Sequence, residues 1–292
     1  MTAYEKLLGS IRENSKTKEF KKNTEILIGV INSFSKNDFI NIVENIGTIP
    51  ESIRASSSEE KLYSKASDIV LSRCFSELGL ESHVLSERAN SADITAKSRF
   101  HRYTLVADAK AFRMSRTAKN QKDFKIDNLS NWRGSEIHYA LLCSPYFQYP
   151  KKSSQIYAQA IDKGVSLLSW EHMLFMLNNG LIETSTLNLE SIWNSSVMLA
   201  RDPRINRESN FFSFINERVC EKIGCDSCEF VRSLEEYKSN MVFRGNGERE
   251  FYLIEIETIK NYSREQAIQE LIKFSKYKEN INTINKFTKE LG

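Results

Sequence analysis

Residues 91–125 read SADITAKSRFHRYTLVADAKAFRMSRTAKNQKDFK, and two strands stand out in them. The first, residues 93–96, is short; the second, from Tyr103 to Phe112, is longer and apolar almost throughout. On the longer strand Leu105, Ala107, Ala109 and Ala111 share one face, and Val106, Asp108 and Lys110 share the other. A strand apolar on both faces belongs in the middle of a covered sheet. An acid and a lysine on one face of such a strand are costly unless they are paired or metal-bound. The link at 97–102 returns the second strand beside the first and brings Asp93 next to Asp108. Two carboxylates and a lysine then converge on one point. Oxygen ligands of this kind suit a hard divalent cation, Mg²⁺ or in its place Mn²⁺. The lysine can orient or deprotonate an attacking water. A structural ion pair at a strand end is the competing reading of the same residues.

Working outward, Ser57 and Glu60 have capping-box spacing for a helix running to Leu78, with Gly79 as its stop. Leu62, Ala66, Ile69, Val70 and Phe75 form its expected buried stripe. Before it, residues 4–14, 18–34 and 37–45 read as short helices. After the central stretch, residues 112–135 read as polar and irregular. Strands are expected at 83–85, 137–143 and 165–169, with a helix at 153–162. A strand, helix, strand order of that length implies a parallel crossover. Residues 171–178 and 187–199 read as helices, and from Arg207 the chain is mainly helical. The pair Glu255 and Glu257 reads as one face of a strand edge. The fold class is therefore α/β: a mixed central sheet flanked by helices, with helical N- and C-terminal additions. We expect a single domain over 1–292, its α/β core at about 50–180 and a mainly helical part at about 181–292.

The composition bounds the function classes. A net charge of +3 is too small to announce a nucleic-acid partner by itself. No run approaches the ~18 apolar residues of a membrane span, so no membrane partner is expected. Five cysteines, an odd number, suggest reduced thiols in a cytoplasm. Cys220, Cys225 and Cys228 contain a C-x-x-C, but a structural zinc needs a fourth ligand and the sequence nearby offers no histidine.

Local charge is more telling. Lys110, Arg113, Arg116, Lys119, Lys122 and Lys125 recur every three residues, with Asp123 the one acid among them. On a helix that period drifts by about 60° per step, so the charges spiral and form no stripe. A loop with a short helical piece, laid against a phosphate backbone, accounts for them better. Arg113, Arg116, Lys119, Lys122 and Lys125 would position the duplex, while Asn120 and Asp123 would read base edges. The alternative is a solvated charged loop.

The pattern D-x(14)-D-A-K, following a helix that carries Glu60, resembles the PD-(D/E)xK nuclease superfamily. Ala92 stands where the superfamily's nominal proline would precede Asp93. The stretch VADAKAFRMSRTAKNQKDFK, with EEKLYSKASDIVL before it and QYP, SQIY and SWEHM after it, resembles the HindIII-type restriction endonucleases. The similarity runs from about residue 4 to the end and is strongest over 59–171. This resemblance implies a restriction-endonuclease-like fold and Mg²⁺-dependent double-strand cleavage of DNA at a short palindrome, AAGCTT cut after the first A. It implies that Asp93, Asp108 and Lys110 are catalytic and that Asp93 and Asp108 bind the metal. The Ala109 carbonyl and Glu60 are further ligand candidates. It also implies a homodimer, a bacterial cytoplasmic location and a companion DNA methyltransferase. A repair or junction-resolving nuclease of the same superfamily, or a DNA-binding protein that has lost cleavage, are the alternatives.

Overall fold

The computed structural model describes residues 1–85, 92–116, 121–151, 154–203, 206–275, 281 and 284–285. Three helices open the chain: α1 (Ala3–Asn14), α2 (Phe20–Ser33) and α3 (Lys36–Ile46). Thr2 caps α1 reciprocally with Glu5, and Ser35 caps α3 through the Asp38 amide. The long helix α4 (Ser58–Glu77) follows, with Ser57 accepting from the Glu60 amide at 3.1 Å. It stops where Gly79 adopts φ +95°, a conformation that side chains disfavour. A Cβ at Gly79 would also lie 2.8 Å from the Glu183 carbonyl oxygen.

The five strands are β1 (Glu81–Val84), β2 (Ile94–Lys97), β3 (Thr104–Ala109), β4 (Tyr139–Ser144) and β5 (Val165–Ser169). They lie in sequence order in one mixed sheet. β1–β2 and β2–β3 are antiparallel, while β3–β4 and β4–β5 are parallel. The connection from β3 to β4 carries α5 (Gln121–Phe124) and α6 (Ile126–Arg133), and that from β4 to β5 carries α7 (Gln155–Lys163). Both parallel pairs thus use the helical crossovers that parallel pairing requires. β5 is buried at every residue, as expected of a parallel strand covered on both sides.

α4 is the organising helix. It packs on α1, α2 and α3 and also across β1, β2 and β3. The expected stripe of Leu62, Ala66, Ile69, Val70 and Phe75 is buried, and so are Tyr63, Lys65, Ser67, Asp68, Leu71, Ser72 and Cys74. The helix is therefore covered on almost all sides, which an amphipathic reading of it misses.

The rest of the helices are α8 (Trp170–Asn178), α9 (Glu190–Trp193), α10 (Ser195–Arg201), α11 (Phe211–Ile223), α12 (Ser227–Lys260) and α13 (Arg264–Phe274). Three local expectations are corrected. The stretch 121–133, read as polar and irregular, is mostly helical, with Phe124, Ile126 and Leu129 buried under α5 and α6. Residues 187–199 form two short helices, broken at Asn194. Glu255 and Glu257 lie on α12, a helix of 34 residues, and not on a strand.

The chain divides into two compact units, Met1–Val242 and Phe243–Gly292. The first holds the sheet and the core. The second holds the last turns of α12 together with α13, which Ser263 and Gln266 cap reciprocally and which buries none of its residues. No helix among the described residues is long and apolar enough to cross a membrane.

Candidate active site

The hairpin register decides where the two expected carboxylates meet. Ile94 pairs with Ala107, so Asp93 and Asp108 are the next partners along the same antiparallel ladder. Asp108 lies on β3 with a nearly buried side chain, and Asp93, just before β2, is 35% exposed. Lys110 follows the end of β3, and its ammonium lies against Oδ2 of Asp108. That oxygen is buried and accepts no hydrogen bond of ordinary geometry. Ala109 is buried beside them.

A third carboxylate, not anticipated from the sequence, completes the cluster. Asp68 of α4 reaches the sheet, and ligand oxygens of Asp68, Asp93 and Asp108 all lie within 4.8 Å of one another. Oδ1 of Asp68 accepts from the Ala109 amide at 3.4 Å. Burial pushes the Asp68 carboxyl well above the usual range; Asp93 and Asp108 push the same way, and Lys65 and Lys110 oppose them. Lys65, one turn before Asp68 on α4, donates to Oδ1 of Asp93 at 2.8 Å and stands 3.8 Å from Oδ2 of Asp68. The signal for both was present in the sequence. Lys65, Asp68 and Ser72 are polar at spacings of three and four on a helix whose other residues are mostly core.

The donor set fits a hard divalent cation. It offers three hard oxygen donors within reach of one point, and carboxylates gathered this closely in a mostly buried place call for more positive charge than neutral hydrogen bonds supply. Asp68, Asp93 and Asp108 are the residues that would hold such an ion.

The backbone beneath Lys110 is fixed from several sides. The Lys110 amide donates to the Cys143 carbonyl at 2.7 Å, and its carbonyl accepts from the Trp170 indole at 2.9 Å. Gly47 makes room for that indole, since a Cβ there would lie 2.6 Å from Cδ1 of Trp170. Next to Trp170, the buried Glu171 carboxylate accepts from the Tyr146 amide at 2.8 Å. Burial pushes Glu171 up to about 7, and burial also pulls the adjacent His172 down to about 4. His172 accepts at Nδ1 from the Ser169 amide, so the neutral ring donates at Nε2 to Asn216.

Glu60, read as a further ligand candidate, is not among the converging carboxylates. Its Oε1 pairs with Arg113 at 2.6 Å and its Oε2 accepts from the Ser56 amide at 2.7 Å. The N-terminus of α4 is two turns away from Asp68, too far along the helix to serve both places.

Beyond Lys110 the chain is stitched to the segment after α3. Phe112 exchanges backbone hydrogen bonds with Gly47 and Ile49, and Ser115 donates its amide and hydroxyl to Glu51, each at 2.8 Å. Arg113 is turned inward: besides Glu60 it reaches the Pro50 carbonyl at 2.9 Å, and its side chain is only 14% exposed. Arg116 pairs with Asp123 of α5 and is 44% exposed. Lys122 and Lys125 are exposed, and Lys125 takes φ +49° at the start of α6. Lys119 and Asn120 lie outside the described residues.

Comparison with known proteins gives the family. A family description, HindIII restriction endonuclease, matches residues 8–288. The type II restriction enzyme HindIII of Haemophilus influenzae is 41% identical over 289 residues, covering 99% of this chain and 96% of the relative. With its mixed sheet and its carboxylates gathered at the β2–β3 hairpin, the chain belongs to the HindIII restriction endonuclease family.

Proposed function

We propose that the chain cuts both strands of duplex DNA at a short palindrome, AAGCTT cleaved after the first A, using Mg²⁺. Its class is plain from the family: it is a type II restriction endonuclease, a site-specific deoxyribonuclease. The observation that carries the mechanism is the convergence of Asp68, Asp93 and Asp108, with Lys110 against Asp108.

In this reading Asp68, Asp93 and Asp108, with the Ala109 carbonyl, hold the cation. Bound there, the ion supplies Lewis-acid polarisation of the scissile phosphate and a more acidic water. Lys110 orients the attacking water and offsets charge that develops on the phosphate. Its backbone is held by Cys143 and Trp170, and the Asp108 contact holds its ammonium at the cluster. Arg116, Lys122 and Lys125, with Lys119, position the phosphate backbone, and Asn120 and Asp123 read base edges. Arg113 braces the loop through Glu60. A palindrome calls for two copies related by a two-fold axis, each reading one half-site. A methyltransferase of the same specificity would protect the host's own sites.

The test is digestion of a plasmid of known sequence with Mg²⁺. Discrete fragments ending at AAGCTT are expected, with none in excess EDTA. Asp108→Asn and Lys110→Ala are expected to abolish cutting while keeping specific binding. A smear, or a gel shift without cutting by the wild type, would overturn the reading, and so would cutting by either variant.

A further inference from the structure

The carboxylate cluster holds a second lysine that the cleavage mechanism leaves unused. Lys65 is 7% exposed, and both of its ion-pair partners, Asp93 and Asp68, belong to the cluster. A buried ammonium is expensive to desolvate and is kept where it balances buried negative charge. Three carboxylates this close repel one another, and Lys110 lies against only one of them, Asp108. Asp93 has the most to lose, because it is the partly exposed member and lies outside the regular strand, where the Lys65 contact holds its side chain.

We infer that Lys65 is a built-in counter-cation and a positioning residue. It holds Asp93 in place before a metal ion arrives, and it then yields the Asp93 oxygen to that ion. This rests on the metal reading above. Two consequences follow from its charge and its geometry, and they have opposite signs. A positive charge this near opposes a second cation, so removing it tightens metal binding. Removing it also frees the Asp93 side chain, so cleavage slows.

The experiment is calorimetric titration of Mn²⁺ into the full chain without DNA, beside single-turnover cleavage. Lys65→Met is expected to bind Mn²⁺ at least about tenfold more tightly, from the Coulomb interaction at this separation. The same variant is expected to cleave at least about tenfold more slowly, and Lys65→Arg to restore both values toward the wild type. Should Lys65→Met not fold, Lys65→Gln keeps a hydrogen-bond donor toward Asp93 and makes the same comparison without the charge. A purely structural lysine would give unchanged or weaker Mn²⁺ binding in a folded variant, and that result overturns the inference. Failure of the metal reading looks different: the wild type would take up no Mn²⁺, and Asp108→Asn would change nothing.

Discussion

Glu171→Gln should raise the stability of this protein at alkaline pH and leave it almost unchanged in acid. Glu171 begins α8 beside Trp170, whose indole holds the Lys110 carbonyl, so its ionisation bears on the floor of the active site. The carboxyl is 7% exposed and moves from 4.5 to about 7 because burial disfavours the anion. A carboxyl whose folded value lies above its unfolded value holds its proton more tightly when folded. Its contribution to stability is complete below 4.5 and is lost as pH rises through about 7. At ~1.4 kcal/mol per pH unit, that gap corresponds to about 3 kcal/mol. The amide cannot ionise, and its oxygen still accepts from the Tyr146 amide.

Urea denaturation followed by circular dichroism measures the difference directly. The Glu171→Gln variant should exceed the wild type by about 3 kcal/mol at pH 8 and by less than about 1 kcal/mol at pH 5. His172 works in the opposite direction. Its folded value of about 4 lies below the ordinary 6.5, so its contribution is present above 6.5 and lost as pH falls through about 4. With Glu171 neutralised, stability should therefore rise steadily from pH 4 to 6.5. An equal gain at pH 5 and pH 8 would refute the argument, since it would locate the gain in packing and not in a proton.

Two further outcomes separate bracing from DNA contact in the loop after β3. Arg113→Ala should lower stability by about 2 kcal/mol, because it strands Glu60 and the Pro50 carbonyl, and it should leave the salt dependence of DNA binding unchanged; Arg116→Ala, at an exposed site, should reduce that slope by about one. Asp123→Asn should cost roughly 1–3 kcal/mol on cognate DNA and much less on random DNA if the carboxylate reads a cytosine amine. An unchanged ratio of the two affinities, at fixed salt, would remove Asp123 from the base-reading residues.

The parts of the site that could be read from the sequence are those set by short-range geometry. A continuous apolar strand with an acid and a lysine on one face, returned by a short link, left one register in which Asp93 meets Asp108, and that register is found. Asp68 and Lys65 are harder to read from the sequence, because the polar spacing of Lys65, Asp68 and Ser72 on α4 does not by itself say that their side is buried. That side is covered by the sheet, whose strands come later in the chain. The basic run hides a long-range contact in a similar way. Charges three apart look like a solvated or DNA-facing series, yet Arg113 has its acid 53 residues away on another element. On α12 the alternation of acids with isoleucines over 254–257 imitates a strand, but it sits inside a long helix that begins at Ser227, and helix propagation adds residues cooperatively.

In the proposed reading, the lysine that serves the chemistry and the first exposed arginine that would meet DNA lie close together along the chain. From Lys110 to Arg116 is six residues, at most about 20 Å of extended chain. Within it the backbone is held at Lys110 by Cys143 and Trp170, at Phe112 by Gly47 and Ile49, and at Ser115 by Glu51. A segment bonded at three successive points is held close to one path, because shifting any of the three would lengthen or break a hydrogen bond. Lys110 and Arg116 therefore lie at the two ends of one braced stretch of backbone. If Arg116 meets the duplex as proposed, this stretch gives that contact a defined reach from Lys110 and Asp108, and a displacement of an ångström at the reacting groups matters to the chemistry.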